Sequence, residues 1–137
     1  WGCKAETANA QMANLKTSTL LSFLTTPLDG CPSGPNTVAC ESAALKIEFN
    51  AKDYRFLSHP ENTHLVGKGI RSVNLLHVLL HEIGHWIGIG HLNDPGSIMN
   101  ETMMGSRCID TATTHALNIL ASGGLYPVQT PQALLFE

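Results

Sequence analysis

Between Asn74 and Leu92 apolar residues fall on almost every side of a helix. Leu75, Leu76, Val78, Leu79, Leu80 and Ile83 leave little polar surface beyond a few histidines and one glutamate. Such a helix is buried; Ser72 and Asn74 are N-cap types that can start it, and it is expected to run to about Gly88. Upstream, Ala8, Met12 and Leu15 recur at steps of four and three, and Phe23 and Leu24 extend their side. This predicts a first helix over Ala5 to Leu24, stopped by Thr25-Thr26-Pro27. Gly30, Pro32, Gly34 and Pro35 make Asp29 to Asn36 a loop. From Ala44 to Asn50 the period changes to two, with Leu45, Ile47 and Phe49 alternating with Lys46, Glu48 and Asn50, as in a half-buried strand. Tyr54 to Leu57 and Thr63 to Val66 read as two further short strands. Asp110 to Ser122 reads as a last helix, with Asp110 as N-cap, a stripe of Ala116, Leu117, Ile119 and Leu120, and Gly123-Gly124 as its stop. Tyr126 to Glu137, with two prolines, reads as a tail. The pattern predicts one domain over residues 1–137 of α/β (α+β) class: a short twisted sheet, a backing helix, a buried central helix and a last helix.

Composition narrows the function classes. With 43% hydrophobic and 14% charged residues the chain is globular, and its 137 residues suffice for one core. The net charge is −3 and the eight Lys and Arg are scattered, so no basic stripe offers itself to nucleic acid. The longest apolar region, around Leu75 to Leu92, is interrupted by His77, His81, Glu82, His85 and His91 and does not read as a membrane span. The sequence opens at Trp1 without a Met, a basic region or a cleavage site, which suggests a processed form or a fragment. Cys3, Cys31, Cys40 and Cys108 allow three pairings if all are oxidised, and their spacing fits no zinc ribbon. The favoured pairing is Cys31–Cys40, closing the Pro/Gly-rich loop, with Cys3–Cys108; two disulfides imply a secreted or periplasmic protein.

The central stretch also carries the candidate chemistry. His81 and His85, four apart on a helix, project from one face one turn apart and can meet one metal ion. On a helix that simply continued, His91 would point aside. Gly88 can take a positive φ, stop the helix and return the chain beneath the ion, and Gly90 adds freedom just before His91. Three neutral imidazoles leave the fourth position of a zinc ion open, which is the catalytic pattern. On an apolar helix between two ligands, an idle carboxylate at Glu82 would carry a desolvation cost. Its expected role is general base, taking a proton from a zinc-bound water. The bland alternatives are ordinary histidines and a solvated carboxylate; the full spacing with Gly88 and a following Met argues against them. His77 shares the face of His81 and His85 and is read as a core histidine, with contact to substrate as its alternative. Trp86 is expected in the core and His115 on the surface.

The spacing His81-Glu82-x-x-His85-x-x-Gly88-x-x-His91, followed within eight residues by Met99 at the end of Asp94-Pro95-Gly96-Ser97-Ile98-Met99, resembles the metzincin signature and Met-turn. The short His-to-Met spacing, the run Asn74-Leu75-Leu76 and Gly84 are most similar to matrixins, the matrix-metalloprotease-like family. Leu92 stands where animal matrixins usually carry Ser, and Asn100-Glu101-Thr102 replaces their Tyr-Pro. No Tyr stands two residues after Met99, so no astacin-type tyrosine ligand is expected. The resemblance implies a small zincin-like domain with one catalytic Zn2+ on His81, His85 and His91, Glu82 as base and Met99 as the hydrophobic floor; Met103 and Met104 lie too far along the chain for that place. It implies that Asn100, Glu101, Thr102 and Met103, with Met104, wall the specificity pocket. It also makes residues Thr63 to Lys68, by position, the rim strand on which a substrate strand pairs. The 80 residues upstream of His81 are short for the family. A first strand and the loop carrying structural zinc and calcium are therefore expected to be missing, and calcium, though possible, is not indicated. His59 and His64 are the spare histidines of that region and are not read as a second site. A competing reading of Cys3 makes it a thiolate capping the zinc, as a propeptide cysteine does in matrixins.

The expected function is that of a secreted, monomeric zinc endopeptidase acting on protein or peptide substrates. One competitor is an inert zinc-binding module that serves as a protein-interaction domain; intact Glu82 argues against it. Another is a disulfide-held inhibitor or scaffold with an accidental motif, from which zinc content would distinguish the enzyme.

Overall fold

The alternating run ending at Asn50 forms β3 (Lys46–Asn50), the second strand of a four-stranded sheet of order β1-β3-β2-β6. The computed structural model describes residues 20–26, 28, 31–32, 34–42, 46–58, 69–103, 108–123 and 132–136. β1 (Leu20–Leu24) runs parallel to β3, and β2 (Thr37–Ser42) pairs antiparallel with the other edge of β3. β6 (Gln132–Leu135) is antiparallel to β2. A separate pair joins β4 (Tyr54–Leu57) in parallel to β5 (Arg71–Asn74). With α1 (Leu75–Trp86) and α2 (Thr111–Ala121), this is an α+β fold.

Three elements correct the expectation from periodicity, and β5 is a strand where none was expected. Residues 20–24 are a strand and not the end of a helix; residues 5–19 of the expected helix lie outside the described ones. The short apolar run Leu20-Leu21-Ser22-Phe23-Leu24 suits either state, and tertiary contact decides: Phe23 stacks on Phe49 with ring centroids 4.5 Å apart and meets Phe56 edge-on. β2 gave no signal because its small residues carry little β propensity, yet Val38, Ala39 and Cys40 are wholly buried between β3 and β6. The supposed tail contains β6, whose Ala-Leu-Leu run is ordered by pairing with β2 and hidden in the sequence behind two prolines. Both faces of β3 are covered, so it is more than half-buried; the buried Glu48 is paired with Lys46.

β5 leads straight into α1. Asn74 ends the strand and caps the helix, its side chain accepting from the His77 N–H at 3.1 Å. Ser72, the other N-cap candidate, lies in β5. The helix separates two apolar clusters, which is why it is apolar on most sides. Leu75, Leu79 and Ile83 pack with Val38, Phe49 and Leu134, while Leu80 packs with Ile89, Ile98 and Met99. α2 follows the expected bounds, with Asp110 as N-cap and Gly123 at φ +81° closing it. Cys31 and Cys40 are disulfide-bonded across the loop ahead of β2. Cys108 is also disulfide-bonded, and Cys3, the partner expected for it, lies outside the described residues. Among the described residues no helix is long and apolar enough to cross a membrane. Thr63 to Lys68, His59, His64 and Met104 lie outside the described residues as well.

Candidate active site

His81 and His85 face each other across one turn of α1, with ring centroids 4.5 Å apart and Nε2 atoms 2.9 Å apart. Beyond Trp86 the helix stops. Gly88, at φ +108°, donates its N–H to the His85 carbonyl, and the Ile89 N–H returns to the Gly84 carbonyl, both at 2.9 Å. That backbone state is open to glycine and strained for other residues. It brings the His91 ring to 4.7 Å from His85 and 5.3 Å from His81, with one potential ligand atom of each residue inside a 4.8 Å cluster.

The rings are oriented by backbone carbonyls. His81 Nδ1 lies 2.7 Å from the Ile98 oxygen and His85 Nδ1 2.7 Å from the Ile89 oxygen. A carbonyl only accepts, so each Nδ1 carries the proton and each Nε2 keeps its lone pair. Two lone pairs confronted without a proton between them form a donor set for a cation. Burial lowers the His81 pKa well below its ordinary value, with positive charge on His85, His91 or His77 adding to the effect and the Ile98 carbonyl opposing it. Burial likewise takes His85 down to about 4 against the Ile89 carbonyl and lowers His91 against the carboxylate of Glu101. At neutral pH all three imidazoles are in the ligand form. His91 Nε2 is buried without a hydrogen-bond partner among the described residues, as an unused ligand atom would be. The donor set fits zinc.

Glu82, between the helical histidines, is fully buried. Burial raises its pKa well above the ordinary carboxylate value. The Glu41 carboxyl adds to this, and the Glu41 amide offsets part of it without forming a hydrogen bond of ordinary geometry. Glu41 was not legible beforehand, because nothing marked β2 as a strand. Among the described residues neither Glu82 carboxyl oxygen makes a hydrogen bond of ordinary geometry, and burial favours the protonated form.

Met99 is wholly buried. The turn that carries it is tied down at several points: Ser97 Oγ accepts from the Met99 N–H at 3.0 Å, Asp110 Oδ2 from the Ile98 N–H at 2.7 Å, and the Met99 carbonyl from the Leu92 N–H at 2.9 Å.

The sequence model of the matrixin family matches residues 46–115, just over half of the 137. The chain belongs to the matrixin family. Membership makes it metallopeptidase-like in kind and points to zinc as the metal. The matched span runs from β3 into α2 and contains the histidine cluster, Glu82 and Met99. No curated protein and no solved structure matches the chain.

In this matrixin the candidate pocket residues divide. Asn100 turns inward and closes the loop, its Nδ2 donating to the Leu92 and Asp94 carbonyls at 3.3 and 3.2 Å while Oδ1 accepts from the Thr102 N–H. Glu101 is exposed, its carboxylate 3.9 Å from His91 Nδ1. Thr102 bridges to Leu135, and Met103 packs with Val78 and Leu134. His77 is buried one turn before His81, His115 is exposed, and Trp86 is partly exposed rather than in the core.

The matrixin helix needs Gly84 for a reason that spacing alone does not show. A Cβ at Gly84 would fall against Met99 Sδ and 2.7 Å from its Cε. Met99 is wholly buried, so its thioether can yield only by repacking against its neighbours. Gly84→Ala is expected to cost about 1–3 kcal/mol by overpacking and to weaken zinc binding through the displaced Ile98-Met99 turn. Thermal unfolding and a zinc competition titration measure the two effects; a variant with unchanged melting temperature would refute the close packing.

Proposed function

We propose that this matrixin domain is an endopeptidase that hydrolyses peptide bonds of proteins, with one catalytic zinc on His81, His85 and His91. The observation that carries the proposal is the convergence of three neutral imidazoles beside a buried carboxyl that makes no hydrogen bond of ordinary geometry among the described residues. Zinc held there would supply Lewis acidity towards the scissile carbonyl and the attacking water. Glu82 accepts a proton as the water oxygen bonds to the carbonyl carbon, and delivers it to the nitrogen as the C–N bond breaks. Met99 forms the floor under the two helical imidazoles, and the Ile98 and Ile89 carbonyls hold their rings. Glu101, Thr102 and Met103 border the substrate groove, whereas the bonds of Asn100 fit it better to shaping the loop. The Cys31–Cys40 disulfide supports a secreted or periplasmic location, and we read the domain as a monomer.

Casein incubated with the zinc-loaded chain tests the proposal. The expected result is one zinc per chain and proteolysis that a chelator stops and added zinc restores. One bound zinc without cleavage would leave a metal-holding binding module instead.

A further inference from the structure

β6 is held along both edges. On one it is antiparallel to β2, with Glu41 opposite Gln132, Cys40 opposite Ala133 and Ala39 opposite Leu134. On the other it meets the segment just after Met99. Leu135 forms a parallel bridge with Thr102, donating its N–H to the Glu101 carbonyl and accepting the Met103 N–H, both at 2.9 Å. Beyond it, the Phe136 N–H reaches the Asn36 carbonyl at 2.7 Å. Strand alternation sends Leu134 to the face opposite its neighbours, and there it is wholly buried with Val78 and Met103.

Val78 lies one turn before Glu82 on the same face of α1. Glu41 lies opposite Gln132, and both β2 and β6 pack against α1. An extended segment therefore packs along the Val78 side of α1, backbone-bonded on both sides, with Leu134 buried in the apolar cluster that holds Val38, Phe49, Val78 and Met103. That is how an added peptide strand is recognised: the main chain supplies affinity and alternate side chains find pockets. A protein substrate that reached Glu82 from the Val78 side of α1 would meet the same strip of surface.

We propose that residues 132–136 occupy the substrate groove of this domain as an intramolecular plug, with Leu134 in the pocket that takes a substrate side chain, and that hydrolysis requires β6 to leave. The inference rests on the peptidase reading above. With the plug in place, only the fraction of molecules that has released it can bind substrate, so the apparent KM is raised by the inverse of that fraction.

Two full-chain variants test this with a fluorogenic peptide and zinc-loaded protein. Leu134→Ser empties the pocket, and Leu135→Pro removes the N–H bonded to Glu101 while leaving Leu134 in place. Each is expected to raise kcat/KM by about tenfold or more, mainly through KM, with one zinc per chain retained. In parallel, a peptidic hydroxamate bound to the wild-type zinc protein should expose the Leu135 and Phe136 amides to hydrogen exchange. This reading survives even if a variant fails to fold. Active variants with unchanged or lower kcat/KM, or amides that stay protected with the hydroxamate bound, would make β6 a wall of the groove and overturn the plug. No hydrolysis by wild type or variants, all zinc-loaded, would overturn the peptidase reading and the plug with it.

Discussion

Glu82→Gln leaves zinc bound and lowers kcat/KM for a protein or peptide substrate by about two to four orders of magnitude. Glutamine keeps the shape of the buried side chain but cannot take up the proton. Among the described residues no hydrogen bond of ordinary geometry ties down either carboxylate oxygen, so little native structure is lost with it. The substitution also removes a group whose ionised form burial penalises, as the raised pKa shows. Stability should therefore hold or rise while turnover collapses. Zinc content, melting temperature and kcat/KM on the same preparation check the dissociation between the two. Near-normal turnover at full zinc occupancy would remove Glu82 from the chemistry.

His91→Ala is expected to abolish hydrolysis and to weaken zinc binding by more than the roughly 10–100-fold that the loss of a supporting hydrogen-bond partner costs. The three histidines are not equal in this respect. His81 and His85 are rooted in α1 and each holds a backbone carbonyl, whereas His91 sits in a loop and is partly exposed. Its ring packs against those of His85 and His81, with centroids 4.7 and 5.3 Å apart, so its removal opens the ligand cluster and leaves the two apolar clusters intact. The melting temperature of the zinc-free variant should match that of the zinc-free parent. A competition titration against a chromophoric chelator reads the affinity; unchanged affinity would show that His91 does not hold the metal.

What could be read from the chain was what is local to it. The metal set spans eleven consecutive residues, and the rules that place it are the helical period and the conformational freedom of Gly88. β3 announced itself by its period of two, β4 was legible as a short strand, and α2 declared itself by Asp110 and Gly123. The structure adds what distant segments do to one another. β1 looked like the end of a helix until Phe49 and Phe56 gave Phe23 its partners. β2 has too few branched or aromatic residues to declare itself, and with it Glu41 escaped notice. β6 was hidden by its prolines, though it contacts both β2 and the segment after Met99. The place of Gly84 beneath Met99 is likewise a contact between parts of the chain fifteen residues apart.

Asp110 touches two parts of the molecule at once. One oxygen receives the Thr113 N–H at the start of α2, and the other receives the Ile98 N–H, whose own carbonyl orients His81. Occupation of the histidine cluster and docking of the final helix are thus linked reactions, each making the other more favourable. A chelator would then act as a mild denaturant of a helix that contributes no ligand at all.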